Sequence, residues 1–187
     1  MTHCVALLRG INVGRAKRIA MADLRDLMES LGFSEVRTLL NSGNVVFRAN
    51  KVRVRGAASA METGIKRRFG FPVPVIVHTA QELDVIVSGN TLSQASRDPA
   101  KFLVAFVATA ATLTKCRPLL AQSLTPEAFA MGDNAAYLWC ANGIIKSRLM
   151  KAFSSATADA ATTRNWATVL KLQAAMSAGR DGGGSGG

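Results

Sequence analysis

Two polar clusters carry the residue types in this chain that could do chemistry. The first is Leu8-Arg9-Gly10-Ile11-Asn12-Val13-Gly14, where an apolar run ends in a charge, an amide and two glycines. Glycines at a strand tip let the backbone turn sharply or approach a ligand closely, and N–H groups beside Arg9 and Asn12 would suit an anion. The same residues also read as a well-made turn in which Asn12 caps its own backbone. The second cluster is Thr162-Thr163-Arg164-Asn165-Trp166. Read as a helix start with Thr162 or Thr163 as N-cap, it offers unsatisfied N–H groups and the positive end of a helix dipole. Arg164 opposes that dipole. It would either grip a carboxylate or phosphate with two parallel hydrogen bonds or form a salt bridge that locks the last helix in place. Lys171, seven residues on, would lie two turns along the same face. Trp166 fits a core anchor, with base stacking as the alternative. Asn41, Ser42 and Asn44 add amides and a hydroxyl from a hairpin. The candidate ligand-binding set is therefore Arg9, Asn12, Asn41, Ser42, Asn44, Arg164, Asn165 and Lys171, with the cations supplying charge and the rest orientation.

Other chemistries find little support. The histidines are His3 and His78. His3 and Cys4 are neighbours on a predicted strand, so their side chains face opposite sides and form no dyad. Cys4 reads as a small core residue, and no Gly-x-Ser-x-Gly elbow occurs. Two histidines and three scattered cysteines show no metal-ligand spacing. Asp23, Asp26 and Glu29 read as the solvated side of the first helix. The glycine loop after the first strand lacks the Gly-Lys-Ser/Thr ending of a Walker loop and is not a dinucleotide fingerprint. No catalytic residue, metal or cofactor is assigned.

The formal charge is +11, and it is uneven. Residues 1–70 hold 13 Lys/Arg against 5 Asp/Glu, and residues 71–187 hold 10 against 7. Arg15, Lys17, Arg18, Arg53, Arg55, Lys66, Arg67 and Arg68 dominate the excess, together with Arg48 and Lys51. Such a field would attract nucleic acid, phosphorylated small molecules or acidic partners, or simply keep the surface solvated. Aromatic residues are 6% of the chain, and no Lys/Arg-Gly-Phe-type run of an RNA-recognition module is present. A nucleic-acid module would therefore hold phosphate backbone without reading sequence. A protein–protein adaptor is a third reading.

The elements that must position these groups follow from periodicity. Residues 2–8 read as a buried strand. Residues 21–31 read as a helix, with Leu24, Leu27, Met28 and Leu31 on one stripe and Gly32 as a left-handed cap. Strands at 36–40 and 45–48 flank the hairpin Asn41-Ser42-Gly43-Asn44. A helix at 56–69, a strand at 75–78 and a helix to about 87 follow, the last opened by a Thr79/Glu82 capping box. The order βαββαβ predicts a ferredoxin-like unit. After a linker at 90–100 come a strand at 101–108, a helix at 113–123 complicated by Pro118, and a hairpin of 128–131 with 135–140. Helices at 147–153 and 163–176 complete the chain. The expected organisation is α+β, with two tandem ferredoxin-like units with antiparallel sheets: residues 1–95, residues 96–178 and a flexible Gly-rich tail, 179–187.

Three segments together resemble a bacterial family known as domain of unknown function 1697. They are Val5-Ala6-Leu7-Leu8-Arg9-Gly10-Ile11-Asn12-Val13-Gly14, then Ser42-Gly43-Asn44-Val45-Val46-Phe47, then Ala161-Thr162-Thr163-Arg164-Asn165-Trp166 with Thr168 and Lys171. The resemblance implies a two-part ferredoxin-like protein of the bacterial cytoplasm and carries no established activity. The family's opening usually has two glycines after the valine. Here Arg15 follows Gly14, making the loop more basic and less flexible. The remaining expectations agree with composition. At 187 residues and 49% hydrophobic the chain can bury a core, no apolar run suits a membrane span, and the odd cysteine count fits a reducing cytoplasm.

Overall fold

Strand β1, Thr2–Leu8, is the centre of the first half, and its last five residues are buried. Alternation sends Cys4, Ala6 and Leu8 into one core with Val45, Phe47 and Ala49. Helix α1, Met21–Ser30, buries Leu24, Leu27 and Met28, the stripe expected from its spacing. It ends at Gly32, whose φ of +81° lets its N–H reach the Glu29 carbonyl at 2.8 Å. Strands β2, Ser34–Leu39, and β3, Asn44–Ala49, form the next hairpin. Helix α2 spans Lys51–Phe69, and the Asn50 side chain accepts from the Arg53 N–H at 2.8 Å. Gly64 sits in its middle because a Cβ there would stand 3.2 Å from Leu27 and 3.3 Å from Leu31. Strand β4, Val75–Thr79, leads directly into helix α3, Ala80–Ser88. The capping box forms as expected: Thr79 N–H donates to the Glu82 carboxylate at 2.7 Å, and Glu82 N–H to Thr79 Oγ1 at 3.2 Å. The sheet order is β2-β3-β1-β4, all antiparallel.

The second half repeats the pattern. Strand β5, Phe102–Val107, is followed by helix α4, Ala110–Thr114, and a 3-10 turn, Arg117–Ala121. Strands β6, Ala128–Met131, and β7, Ala135–Trp139, form a hairpin. Helix α5, Arg148–Thr157, strand β8, Ala161–Asn165, and helix α6, Trp166–Asp181, complete it. The order β6-β7-β5-β8 is the same permutation as in the first sheet, again antiparallel. Its core joins Leu103, Ala105 and Val107 to Leu138, Leu149 and Phe153. On the other face the Tyr137 hydroxyl donates to the Ile86 carbonyl at 2.6 Å, and a Cβ on Gly89 or Gly132 would crowd that oxygen at 3.0 and 3.2 Å.

The chain is thus mixed α+β, with two four-stranded antiparallel sheets. The structure describes residues 1–181. Two units separate by internal contacts: Met1–Leu83 together with the chain from Leu172, and Asp84–Lys171. The end of α6 is therefore grouped with the first unit, where Arg37 of β2 donates to the Ala175 carbonyl at 2.6 Å.

Several local expectations need correction. Residues 161–165 form β8 rather than a helix start, because they complete the ladder of β5: Arg164 opposes Val104 and Asn165 opposes Leu103. The N-cap of the last helix is accordingly Asn165, which accepts from the Thr168 N–H at 2.9 Å, and not Thr162 or Thr163. Helix α2 begins five residues earlier than expected, at Lys51. The single helix expected at 113–123 is two short pieces, with Pro118 opening the second. The expected linker contains a 3-10 turn, Ser93–Ser96. Helix α6 runs on to Asp181, and the rest of the expected Gly-rich tail, residues 182–187, lies outside the described residues.

Candidate functional site

The loop after β1, residues 9–20, takes four positive φ angles: Gly10, Asn12, Gly14 and Lys17. Left-handed backbone at Asn12 and Lys17 is unfavourable for L-residues, and asparagine tolerates it best. The Asn12 side chain explains how the loop holds. Its amide donates to the Ile19 and Asn41 carbonyls, both at 2.9 Å, and its oxygen accepts from the Ile19 N–H at 3.0 Å. One asparagine therefore closes its own loop and ties it to the β2–β3 turn.

That turn is pressed onto β1. The Gly43 carbonyl, from a residue at φ +77°, accepts from the Leu8 N–H at 2.8 Å. A Cβ at Gly43 would lie 2.7 Å from Leu8 Cβ and 2.9 Å from Ile11 Cδ1, so only glycine fits. Asn44 is fully buried and donates to the Leu39 carbonyl and to Ser42 Oγ, both at 2.9 Å. Asn12, Asn41, Ser42 and Asn44 thus lie together where the loop after β1 meets the β2–β3 turn. Asn12 ties the two loops to each other, and Ser42 and Asn44 hold the β2–β3 turn in shape. Arg9 is half-buried at the end of β1, where its N–H meets the Pro74 carbonyl at 2.9 Å.

Beside the clamp is a cavity of about 350 Å³ lined by Asn12, Arg18, Ile19, Ala20, Met21 and Asn41. It opens at the start of α1, whose N-cap position is Ala20 with no side-chain cap. The first N–H groups of α1 therefore lack an intrahelical or capping partner. Asp23 in that turn is engaged by Arg68 at 3.6 Å. Arg18 has no ion pair or hydrogen bond among the described residues. Sequence reasoning placed Arg18 in a nucleic-acid surface and missed its place on this wall, which only the folded loop reveals.

The other candidates belong to the second unit. Arg164 lies on β8, so its expected helical spacing to Lys171 does not apply. It is buried, and its guanidinium donates to Thr162 Oγ1 at 2.9 Å and to the Thr163 carbonyl at 2.8 Å. Burial pushes it down to about 10. Asn165 caps α6, and Lys171 is exposed. Trp166 packs edge-on against Phe102 with centroids 5.4 Å apart, the anchoring alternative.

Of the basic residues, Arg53 donates to the Leu31 and Gly32 carbonyls at 3.0 and 2.8 Å, and Arg68 lies over the Phe69 ring at 5.7 Å. The three thiols are buried. Burial, reinforced by the Glu82 charge, pushes Cys4 up to about 12, so it is no nucleophile at neutral pH. Burial holds His78 below the ordinary histidine value, against the pull of Glu82. No group of three or more metal-binding side chains occurs among the described residues, and none of the described helices is long and apolar enough to cross a membrane.

A model of a family described as "Protein of unknown function (DUF1697)" matches residues 1–137. The chain belongs to that family. The match covers the clamp of the first unit, so the DUF1697 region includes Asn12, Arg18, Asn41 and Gly43. Among solved structures, the conserved bacterial protein SP0830 from Streptococcus pneumoniae is similar at 22% identity with a TM-score of 0.77. The alignment covers 95% of this chain and 99% of that one, which establishes a shared fold. No curated protein matches.

Proposed function

We propose that this DUF1697 protein binds a small phosphorylated or carboxylated ligand at the cavity beside Asn12, within the first of two ferredoxin-like units. The carrying observation is that an Arg18-bearing cavity opens on an uncapped helix start. Backbone N–H groups at such a start favour anions, and an arginine adds charge and a two-pronged donor. Asn12 and Asn41 shape the wall, while Ser42 and Asn44 hold the turn that carries Asn41. The common chain order βαββαβ and strand permutation support the ferredoxin-like assignment.

The test is thermal unfolding with inorganic phosphate and with succinate. Either anion, binding only the folded form, raises Tm, and the stabilisation grows with the logarithm of one plus its concentration over Kd. Arg18→Gln abolishes that rise while leaving the ligand-free Tm in place. An unchanged rise in the variant rejects the site. Salt dependence separates the alternative of nucleic-acid binding, which falls with a log–log slope of about 0.9 per phosphate contacted on duplex DNA.

A further inference from the structure

We infer that a second cavity, at the opposite end of the first sheet, binds an organic anion with an apolar body, its charged group held by Lys51 and Arg55. β3 and β4 both run antiparallel to β1. They therefore end at the same edge, with the start of β1 between them. Helices α2 and α3 leave from those two ends. Their first turns and the first residues of β1 wall a cavity of about 570 Å³. That volume lies in the roughly 300–1,000 Å³ range of small-molecule pockets.

Its wall is chemically divided. Met1, Val54 and Ala80 give it apolar surface, Lys51 and Arg55 give it charge, and no carboxylate lines it. Lys51 and Arg55 are four residues apart, on one side of α2. Lys51 stands in the first turn, where a cation opposes the helix dipole, and that turn holds no acid. Two like charges on one helix side at its positive end violate local preference twice, and such violations mark functional positions. Arg53, between them, shows what a structural cation here does: it caps the carbonyls of Leu31 and Gly32. The side chains of Lys51 and Arg55 have no ion pair or hydrogen bond among the described residues. A bare inorganic anion would leave the apolar wall wet, whereas an anionic head on an aromatic or alkyl body satisfies both halves. This site stands independently of the cavity beside Asn12.

The probe is 2-naphthyl phosphate, followed by its fluorescence and by calorimetry on the full chain carrying Arg18→Gln, which removes the phosphate site proposed beside Asn12. It should bind once per chain, with 2-naphthol and inorganic phosphate each weaker by about tenfold or more. K51Q/R55Q should weaken the ester by about tenfold or more and leave 2-naphthol unchanged, and K66Q/R67Q, which removes the same charge farther along α2, should change neither beyond about twofold. Failure of the ester to bind, equal loss in the two double variants, or inorganic phosphate binding as tightly as the ester would overturn the proposal.

Discussion

The two units share a chain order and a strand order but treat their strand tips differently. In the first, residues 9–20 separate β1 from α1, and Asn12 clamps that long loop to the neighbouring turn. In the second, only residues 108–109 separate β5 from α4. The helices differ in the same sense: α1 and α2 have 10 and 19 residues, and their counterparts α4 and α5 have 5 and 10. Polar groups follow suit. The first unit keeps amides and cations at its loops, whereas the second buries Arg164 and Tyr137 on one sheet face. One topology thus carries two arrangements: an elaborated rim of loops tied together by amides, and a face whose polar groups bond within the protein. A scaffold can repeat without its sites repeating.

Substitutions can break or sharpen this contrast. The largest effect is expected at Gly43→Ala, which adds positive-φ strain to a contact at 2.7 Å and should cost about 3 kcal/mol in urea unfolding. Gly10→Ala, with a similar φ and nothing within 4 Å, is its control and should cost about 1 kcal/mol. Equal losses would mean that the turn is not pressed onto β1. Next, Asn12→Ala removes three hydrogen bonds of the clamp and should cost about 2 kcal/mol and expose residues 9–20 to proteolysis. Asn165→Ala removes only a helix cap and should cost about 1 kcal/mol.

The alkaline limb of stability probes both units. Cys4 and Tyr137 are each pushed up to about 12, above their unfolded values, by burial first and then by Glu82 and Asp133 respectively. The unfolded chain therefore loses these protons first. Stability is full below about pH 9 and falls as pH rises towards 12, by up to about 1.4 kcal/mol per pH unit for each proton. Cys4→Ala should flatten the fall from about pH 9 and Tyr137→Phe from about pH 10. Coincident curves for wild type and both variants would show that neither group governs it. The smallest stability effect belongs to Arg18→Gln, within about 0.5 kcal/mol, with phosphate binding as its readout.

Much of the first unit was legible because its signals are local. The Leu24-Leu27-Met28 stripe, Gly32, the hairpin and the Thr79/Glu82 box each announce themselves within eight residues. The meeting of Asn12 with Asn41 was half-legible: amides and glycines at strand ends mark turns, and the resemblance paired the same segments. β8 was not legible. Its residues Thr162, Thr163 and Asn165 are as suited to a helix cap as to a strand, and only the ladder to β5 decides between them. The start of α2 hid for a related reason, since Lys51, Val52 and Arg53 argue against a helix start that Asn50 and packing impose. Both cavities depend on residues joined only by the fold.

The Arg53 guanidinium occupies the space that a side chain at residue 32 would need. Positions 32 and 53 are therefore a lock and its key. In a double-mutant cycle, Gly32→Ala should cost less when Arg53 is already alanine, because the intruding methyl then meets an empty socket. Among relatives, glycine at the first position and arginine at the second should be gained and lost together.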